Sequence, residues 1–118
     1  MKRIMLKAKI QHALVTETNR DYEGSLSLDE NLMRAADMLP YEKVHVYNVS
    51  NGERFSTYLI KAEPDSGKVG VYGAAAHRAK VGDKLIVVSY VVLEEDEIEF
   101  FMPKALIVGA GNKILEVK

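Results

Sequence analysis

Lys84-Leu85-Ile86-Val87-Val88-Ser89-Tyr90-Val91-Val92-Leu93 is the strongest strand signal in the chain. β-Branched and aromatic residues fill it, neither glycine nor proline interrupts it, and the turn Val81-Gly82-Asp83 precedes it. Such a run reads as a buried strand. It is too short to cross a bilayer as a helix.

Working outward, the same periodicity recurs on both sides. Ile4, Leu6, Ala8 and Ile10 alternate with Met5, Lys7, Lys9 and Gln11, which predicts a strand running on towards Leu14-Val15-Thr16. A polar loop follows from Glu17 to Glu23 and ends at Gly24. Ser25 to Leu28 predicts a brief strand, and Asp29 caps a helix over Glu30 to Met38 that Pro40 stops. Ser50-Asn51-Gly52-Glu53 carries the Asn-Gly signal of a tight hairpin between strands at Val44 to Val49 and Arg54 to Ala62. Pro64 to Gly67 is a turn, Lys68 to Tyr72 a strand, and Gly73-Ala74-Ala75-Ala76-His77 a small-residue bend or helical turn. Beyond Leu93, Glu94 to Glu97 reads as an acidic loop. Strands at Ala105 to Val108 and Ile114 to Val117 flank the turn Gly109-Ala110-Gly111-Asn112. About seven or eight short strands with one or two short helices predict a mainly-β domain. A small barrel is preferred over an open sandwich.

The chain has 118 residues, the length of a single domain spanning residues 1–118. Sixteen basic and seventeen acidic residues nearly cancel, so no basic excess points to nucleic acid or to an anionic membrane. Cysteine is absent, which removes disulfides, thiolate catalysis and cysteine-zinc sites together. Lys7 and Lys9 interrupt the N-terminal apolar run too early for a signal peptide, so a cytoplasmic location is expected. His12, His45 and His77 show no metal-ligand spacing, and no metal is expected. Gly109-Ala110-Gly111 is a poor phosphate loop, since no helix is expected after it.

Two stretches carry more. Tyr22-Glu23-Gly24-Ser25 places a glycine-serine pair at the end of a polar loop. On the strand from Arg54, alternation puts Arg54, Ser56 and Tyr58 on one face and Phe55 and Thr57 on the other. Arginine and tyrosine two pleats apart are either ordinary surface residues or an anion clamp and a proton donor lining one cleft.

These stretches, together with Met5-Leu6, Lys9, Val15-Thr16, Asn48 to Gly52, Gly73 to His77 and Val81 to Asp83, resemble the pyruvoyl-dependent aspartate 1-decarboxylase family. The match is colinear over nearly the whole chain. The resemblance implies a double-psi β-barrel, a homotetramer with sites between subunits, and a proenzyme that cuts itself between Gly24 and Ser25. The products would be a β chain of residues 1–24 and an α chain of residues 25–118, with a pyruvoyl group derived from Ser25.

It implies roles as well. Thr57 hydrogen-bonds the Gly24 carbonyl during the cut, Arg54 and Lys9 hold the acidic substrate, and Gly73, Ala74 and Ala75 let it approach the backbone. The substrate amine condenses with the pyruvoyl ketone, and Tyr58 donates the proton that replaces carbon dioxide. L-aspartate would yield β-alanine for pantothenate and coenzyme A synthesis. An uncut, non-catalytic barrel and a decarboxylase of another acidic amino acid, such as glutamate, stay open beside this reading.

Two positions depart from the family pattern. Tyr72 stands where asparagine is common; a tolerated lineage variant is the preferred reading, and a modulator of processing, of substrate choice or of dependence on a maturation partner is the alternative. Gln11 stands where histidine is usual, with His12 beside it. Thr57 and Tyr58 also face opposite ways on an ideal strand. Their two roles therefore require a twist, a bulge or a neighbouring subunit.

Overall fold

The computed structural model describes residues 1–118. Nine strands form: β1 (Lys2–Leu14), β2 (Glu17–Asn19), β3 (Ser25–Asp29), β4 (Lys43–Asn48), β5 (Arg54–Ala62), β6 (Val69–Tyr72), β7 (Lys84–Glu94), β8 (Lys104–Val108) and β9 (Ile114–Val117). They lie side by side in the order β2-β6-β3-β5-β4-β7-β1-β8-β9. Two short helices, α1 (Glu30–Ala35) and α2 (Glu95–Ile98), and two 3-10 turns, Gly73–His77 and Ala110–Asn112, complete the chain. The mainly-β barrel expectation holds.

β7 is the spine, as its composition predicts. It pairs antiparallel with β1 on one side and β4 on the other. Leu85 and Val87 are fully buried with Ile10, Leu26, Leu28, Val44, Val46, Leu59 and Leu106. Each such side chain contributes roughly 1.5–3 kcal/mol of burial. β1 keeps this core only by changing phase. Its ladder with β7 shifts register between Leu6 and Ala8 and again between Gln11 and Ala13. The second shift falls at His12, an exposed residue with φ 74°. The extra residue turns the inner face from Ala8 and Ile10 to Ala13 and Val15, all buried. Ile4, which alternation groups with Ala8 and Ile10, is exposed because it lies beyond the first shift.

Three polar groups join distant parts of the barrel. After β1, Thr16 N–H donates to the Val69 carbonyl (2.8 Å), and Thr16 Oγ1 accepts from Val69 N–H (2.9 Å). Buried Asn112 accepts from Leu14 N–H (2.8 Å) and donates to the carbonyls of Leu14 (3.0 Å) and Gly67 (2.8 Å). β1 and β6 stand far apart in the strand order, so these bonds close the sheet on itself. Asp29 caps α1 as expected, accepting from Asn31 N–H (2.8 Å). It also accepts from Asp65 N–H (3.1 Å) and Gly67 N–H (3.0 Å), which fastens the turn before β6.

Three local expectations need correction. α1 ends at Ala35, not Met38, because Asp37 turns left-handed at φ 55° before Pro40 is reached. The acidic run is not a loop: Glu94 and Glu97 form a reciprocal capping box that starts α2. Acidic side chains there also favour the positive helix N-terminus. Within the expected polar loop, Glu17–Asn19 forms β2, parallel to β6, although three polar residues carry no periodic signal.

Asp83 ends the turn before β7. Its carboxylate accepts from Asn48 Nδ2 (2.8 Å) and Lys80 N–H (3.0 Å) in a buried setting. The Asn48 amide, followed by the Lys80 backbone, holds the Asp83 carboxyl below its usual range against the opposing effect of burial. A depressed folded-state value stabilises the fold above the ordinary carboxylate range. That contribution disappears as pH falls through the lower folded value. Thermal denaturation below about pH 4 should therefore show a midpoint falling with acid. In Asp83→Asn this part of the acid slope should be missing, and the chain should lose about 1–3 kcal/mol at neutral pH.

Candidate functional site

Ser25 opens β3, paired across the sheet with Tyr72 at the end of β6. It is buried, and its hydroxyl donates to the Glu23 carbonyl at 3.2 Å. Gly24 before it is exposed. The left-handed backbone lies not at Gly24 but at Gly73, with φ 72°. A Cβ on Gly73 would sit 2.5 Å from Gly24 Cα, 2.7 Å from Gly24 N and 3.1 Å from the Tyr22 carbonyl oxygen. Only glycine at residue 73 lets the loop come this close. Gly73 also starts the 3-10 turn, so Ala74 and Ala75 follow at once beside the Gly24–Ser25 junction.

The parallel ladder of β3 with β5 begins at Leu26 opposite Leu59. Gly24 and Ser25 precede the first paired residues, so the ladder itself gives neither a partner on β5. The β4–β5 ladder runs without a shift from Lys43 opposite Tyr58 to Tyr47 opposite Arg54. The strand therefore does not bulge. Thr57, opposite buried Val44, belongs to the inner row, whereas Arg54 and Ser56 are exposed on the outer face. Tyr58 is half-buried, its ring centroid 6.3 Å from that of Tyr41.

Arg54 is steadied by neighbours that the sequence reading did not single out. Its guanidinium lies 4.4 Å from the Tyr47 ring centroid, in cation-π geometry. The Tyr47 and Tyr90 hydroxyls are 2.7 Å apart, and His45 meets the Tyr90 ring edge-on at 5.2 Å. The hydrogen bond with Tyr47, then burial, pushes the Tyr90 phenol up. A cavity of about 280 Å³ opens here, lined by His45, Tyr47, Arg54, Phe55 and Ser56. Hairpin register was the available signal, since Tyr47 and Arg54 flank the Asn-Gly turn symmetrically. Lys9 shares this outer face: it pairs with Val88, which also pairs with His45. The expected residues thus form two groups. One gathers Gly24, Ser25, Tyr72, Gly73, Ala74 and Ala75, and the other carries Lys9, Arg54 and Tyr58 on the outer face of the sheet, with Thr57 on the inner row of β5.

Tyr72 is turned along β6. Its hydroxyl donates to Glu17 Oε1, which Lys68 Nζ also contacts at 2.6 Å. The Lys68 ammonium and then the Tyr72 hydroxyl hold Glu17 below the usual carboxylate range. The Glu17 carboxylate in turn raises Lys68, and burial raises Tyr72. The Tyr22 ring packs 5.2 Å from the Tyr72 ring. A cavity of about 550 Å³ lies against this cluster, with Tyr22, Ile60, Lys61 and Ser66 in its wall.

Two glycines separate the close approach at Gly73 from backbone strain alone. Gly52 has φ 78° but open space around its missing Cβ. Gly52→Ala should cost about 1–2 kcal/mol through its left-handed backbone. In the Ser25→Ala chain, which keeps the peptide bond after Gly24, the amide resonances of residues 24 and 25 should stay in place. Gly73→Ala should cost more and move both resonances. Unmoved resonances would show that residue 73 does not seat the loop.

Comparison with known proteins identifies the family. The family model described as aspartate decarboxylase matches residues 1–115. The aspartate 1-decarboxylase of Ralstonia nicotianae is 52% identical over 118 residues, covering 100% of this chain and 98% of the relative. That of Cupriavidus necator is 48% identical with the same coverage. That of Thermoanaerobacter pseudethanolicus is 46% identical over 113 residues, covering 96% of this chain and 97% of the relative. With matches at this identity along its whole length, the chain belongs to the aspartate decarboxylase family.

Proposed function

We propose that this chain cuts itself between Gly24 and Ser25, converts Ser25 to a pyruvoyl group, and in that form decarboxylates L-aspartate to β-alanine and carbon dioxide. The observation that carries the reading is the seating of Gly24 against Gly73, beside a buried serine. In the cut, Ser25 Oγ leaves its bond to Glu23 and attacks the Gly24 carbonyl carbon, and the peptide becomes an ester. Elimination leaves Gly24 as a carboxylate and residue 25 as dehydroalanine. Water converts that to the ketone, with loss of ammonia. Thr57, on the strand β5 that pairs with β3, donates to the Gly24 carbonyl as its oxygen gains charge.

The residues around Ser25 fit such a group, because Gly73 seats the Gly24 backbone and the small side chains of Ala74 and Ala75 leave the backbone after it approachable. A pyruvoyl ketone supplies the electron sink that amino-acid decarboxylation needs and no ordinary side chain provides. Arg54, presented on the Tyr47 ring, grips a substrate carboxylate in a charge-assisted pair, and Lys9 adds a second positive charge. Tyr58, two pleats from Arg54 on the same face of β5, donates a proton at the α-carbon.

Lys9 and Arg54 stand on the outer sheet, apart from buried Ser25. We therefore assign them to the site of a neighbouring subunit in a homotetramer. Their paired positive charges suit a dianionic amino acid rather than nucleic acid. No helix is long and apolar enough to cross a membrane. A cytoplasmic enzyme supplying β-alanine for pantothenate and coenzyme A synthesis accords with these features.

Intact mass under denaturing conditions tests the reading first. The wild-type chain should give two fragments split after Gly24, the larger starting in a pyruvoyl group. Ser25→Ala should stay whole and inactive, and an uncut Ser25→Ala protein with full activity would sink the proposal. Arg54→Lys should still mature but lose about ten- to a hundredfold in kcat/KM for aspartate. Full activity would remove Arg54 from the clamp.

A further inference from the structure

Tyr72, the main departure from the family pattern, is held from three sides. Its ring lies back over Gly70, where a Cβ would sit 2.5 Å from the Tyr72 hydroxyl oxygen and 2.7 Å from Cζ. Its hydroxyl donates to Glu17 on β2, which Lys68 pairs at 2.6 Å, with the Lys68 ammonium 5.8 Å from the ring centroid. β2 is brought there by its parallel ladder with β6, Glu17 opposite Gly70 and Asn19 opposite Tyr72.

The remaining side of the ring meets Tyr22. Tyr22 lies two residues before Gly24, and its carbonyl borders the space that only glycine leaves at residue 73. Little else holds this turn. Asp21 N–H donates to Asn19 Oδ1 at 3.0 Å, and the Ser25 hydroxyl donates to the Glu23 carbonyl. Tyr22 itself is exposed on its far side.

Resting on the self-cleavage reading, we infer that Glu17 and Lys68 are positioning residues for the cut: they fix the Tyr72 ring as a buttress for Tyr22, which keeps Gly24 seated on Gly73 beside the Ser25 hydroxyl. They act through Tyr72 and do not touch the reacting bond. Tyrosine at residue 72 then supports maturation through its neighbours, and the departure at residue 72 is coupled to Glu17, Lys68 and Gly70. The ion pair is half-exposed, and such pairs contribute little to global stability. Its loss should therefore act on the loop without unfolding the barrel.

The experiment follows the cut by intact mass in freshly synthesised wild-type, Glu17→Gln, Tyr72→Phe and doubly substituted chains, with thermal midpoints measured in parallel on their Ser25→Ala forms. Each single substitution should slow cleavage about tenfold, the loss expected from one charge-assisted hydrogen bond. The double variant should be no slower than either single, because both remove the same interaction. Thermal midpoints should hold. In the Ser25→Ala chain, Glu17→Gln should also shift the ring resonances of Tyr22. Cleavage at the wild-type rate in Glu17→Gln would overturn the inference. So would additive slowing in the double variant, a midpoint that falls with the rate, or unmoved Tyr22 resonances. A wild-type chain that stays whole would overturn the self-cleavage reading itself. A wild-type chain that matures alongside an equally fast Glu17→Gln would overturn the buttress alone.

Discussion

The approach of the Gly24 backbone to Gly73 is the constraint on which the site depends. Two chain segments meet there at a distance that leaves no room for a Cβ on Gly73, and the left-handed φ of Gly73 turns β6 into the 3-10 turn at that point. The same contact lies beside the Ser25–Tyr72 pair and at the start of the 3-10 turn that carries Ala74 and Ala75. A larger residue at 73 would separate the loop from the turn, and the remaining groups would have nothing to converge on.

The barrel delivers those two segments to each other through a few polar groups, with Asn112 and Asp29 buried and Thr16 exposed. Asn112 joins Leu14 to Gly67, Thr16 joins the end of β1 to Val69, and Asp29 gathers the turn before β6. Each uses most of its hydrogen-bonding capacity, which is the condition for burying such groups without destabilising the core. Together they fix where β6 ends, and hence where Gly73 sits. The apolar core supplies most of the favourable free energy, but it is not directional. These bonds specify which strands become neighbours.

Much of this was legible in the residues. The Asn-Gly hairpin, the full extent of β5 and the Asp29 cap are local features, governed by turn chemistry and by the period of the strand. The candidate pairs Gly24–Ser25 and Arg54–Tyr58 were legible as well. Other features resisted reading because their causes are not local. The phase change at His12 exists because β1 must keep small and branched residues inward along a twisted ladder with β7. β2 has no apolar period and becomes a strand only because β6 offers it a free edge. The helix at Glu95 depends on two glutamate side chains reaching back to the backbone, which looks like an ordinary solvated acidic run in one dimension.

By itself, the sequence determined the class of fold, the hairpin that carries Arg54, Thr57 and Tyr58, and the presence of a glycine-serine junction in a polar loop. Alternation and turn propensity act over a few residues, so they can be read along a line. Only the tertiary structure decided that Gly73 is the glycine that seats Gly24, and that β5 runs from Arg54 to Tyr58 without a bulge. It alone set Arg54 and Lys9 on the outer sheet, apart from Ser25, and turned Tyr72 towards Glu17 and Lys68. Those outcomes depend on register between strands far apart in the chain and on the closing of one backbone against another, which arise only when the barrel is formed.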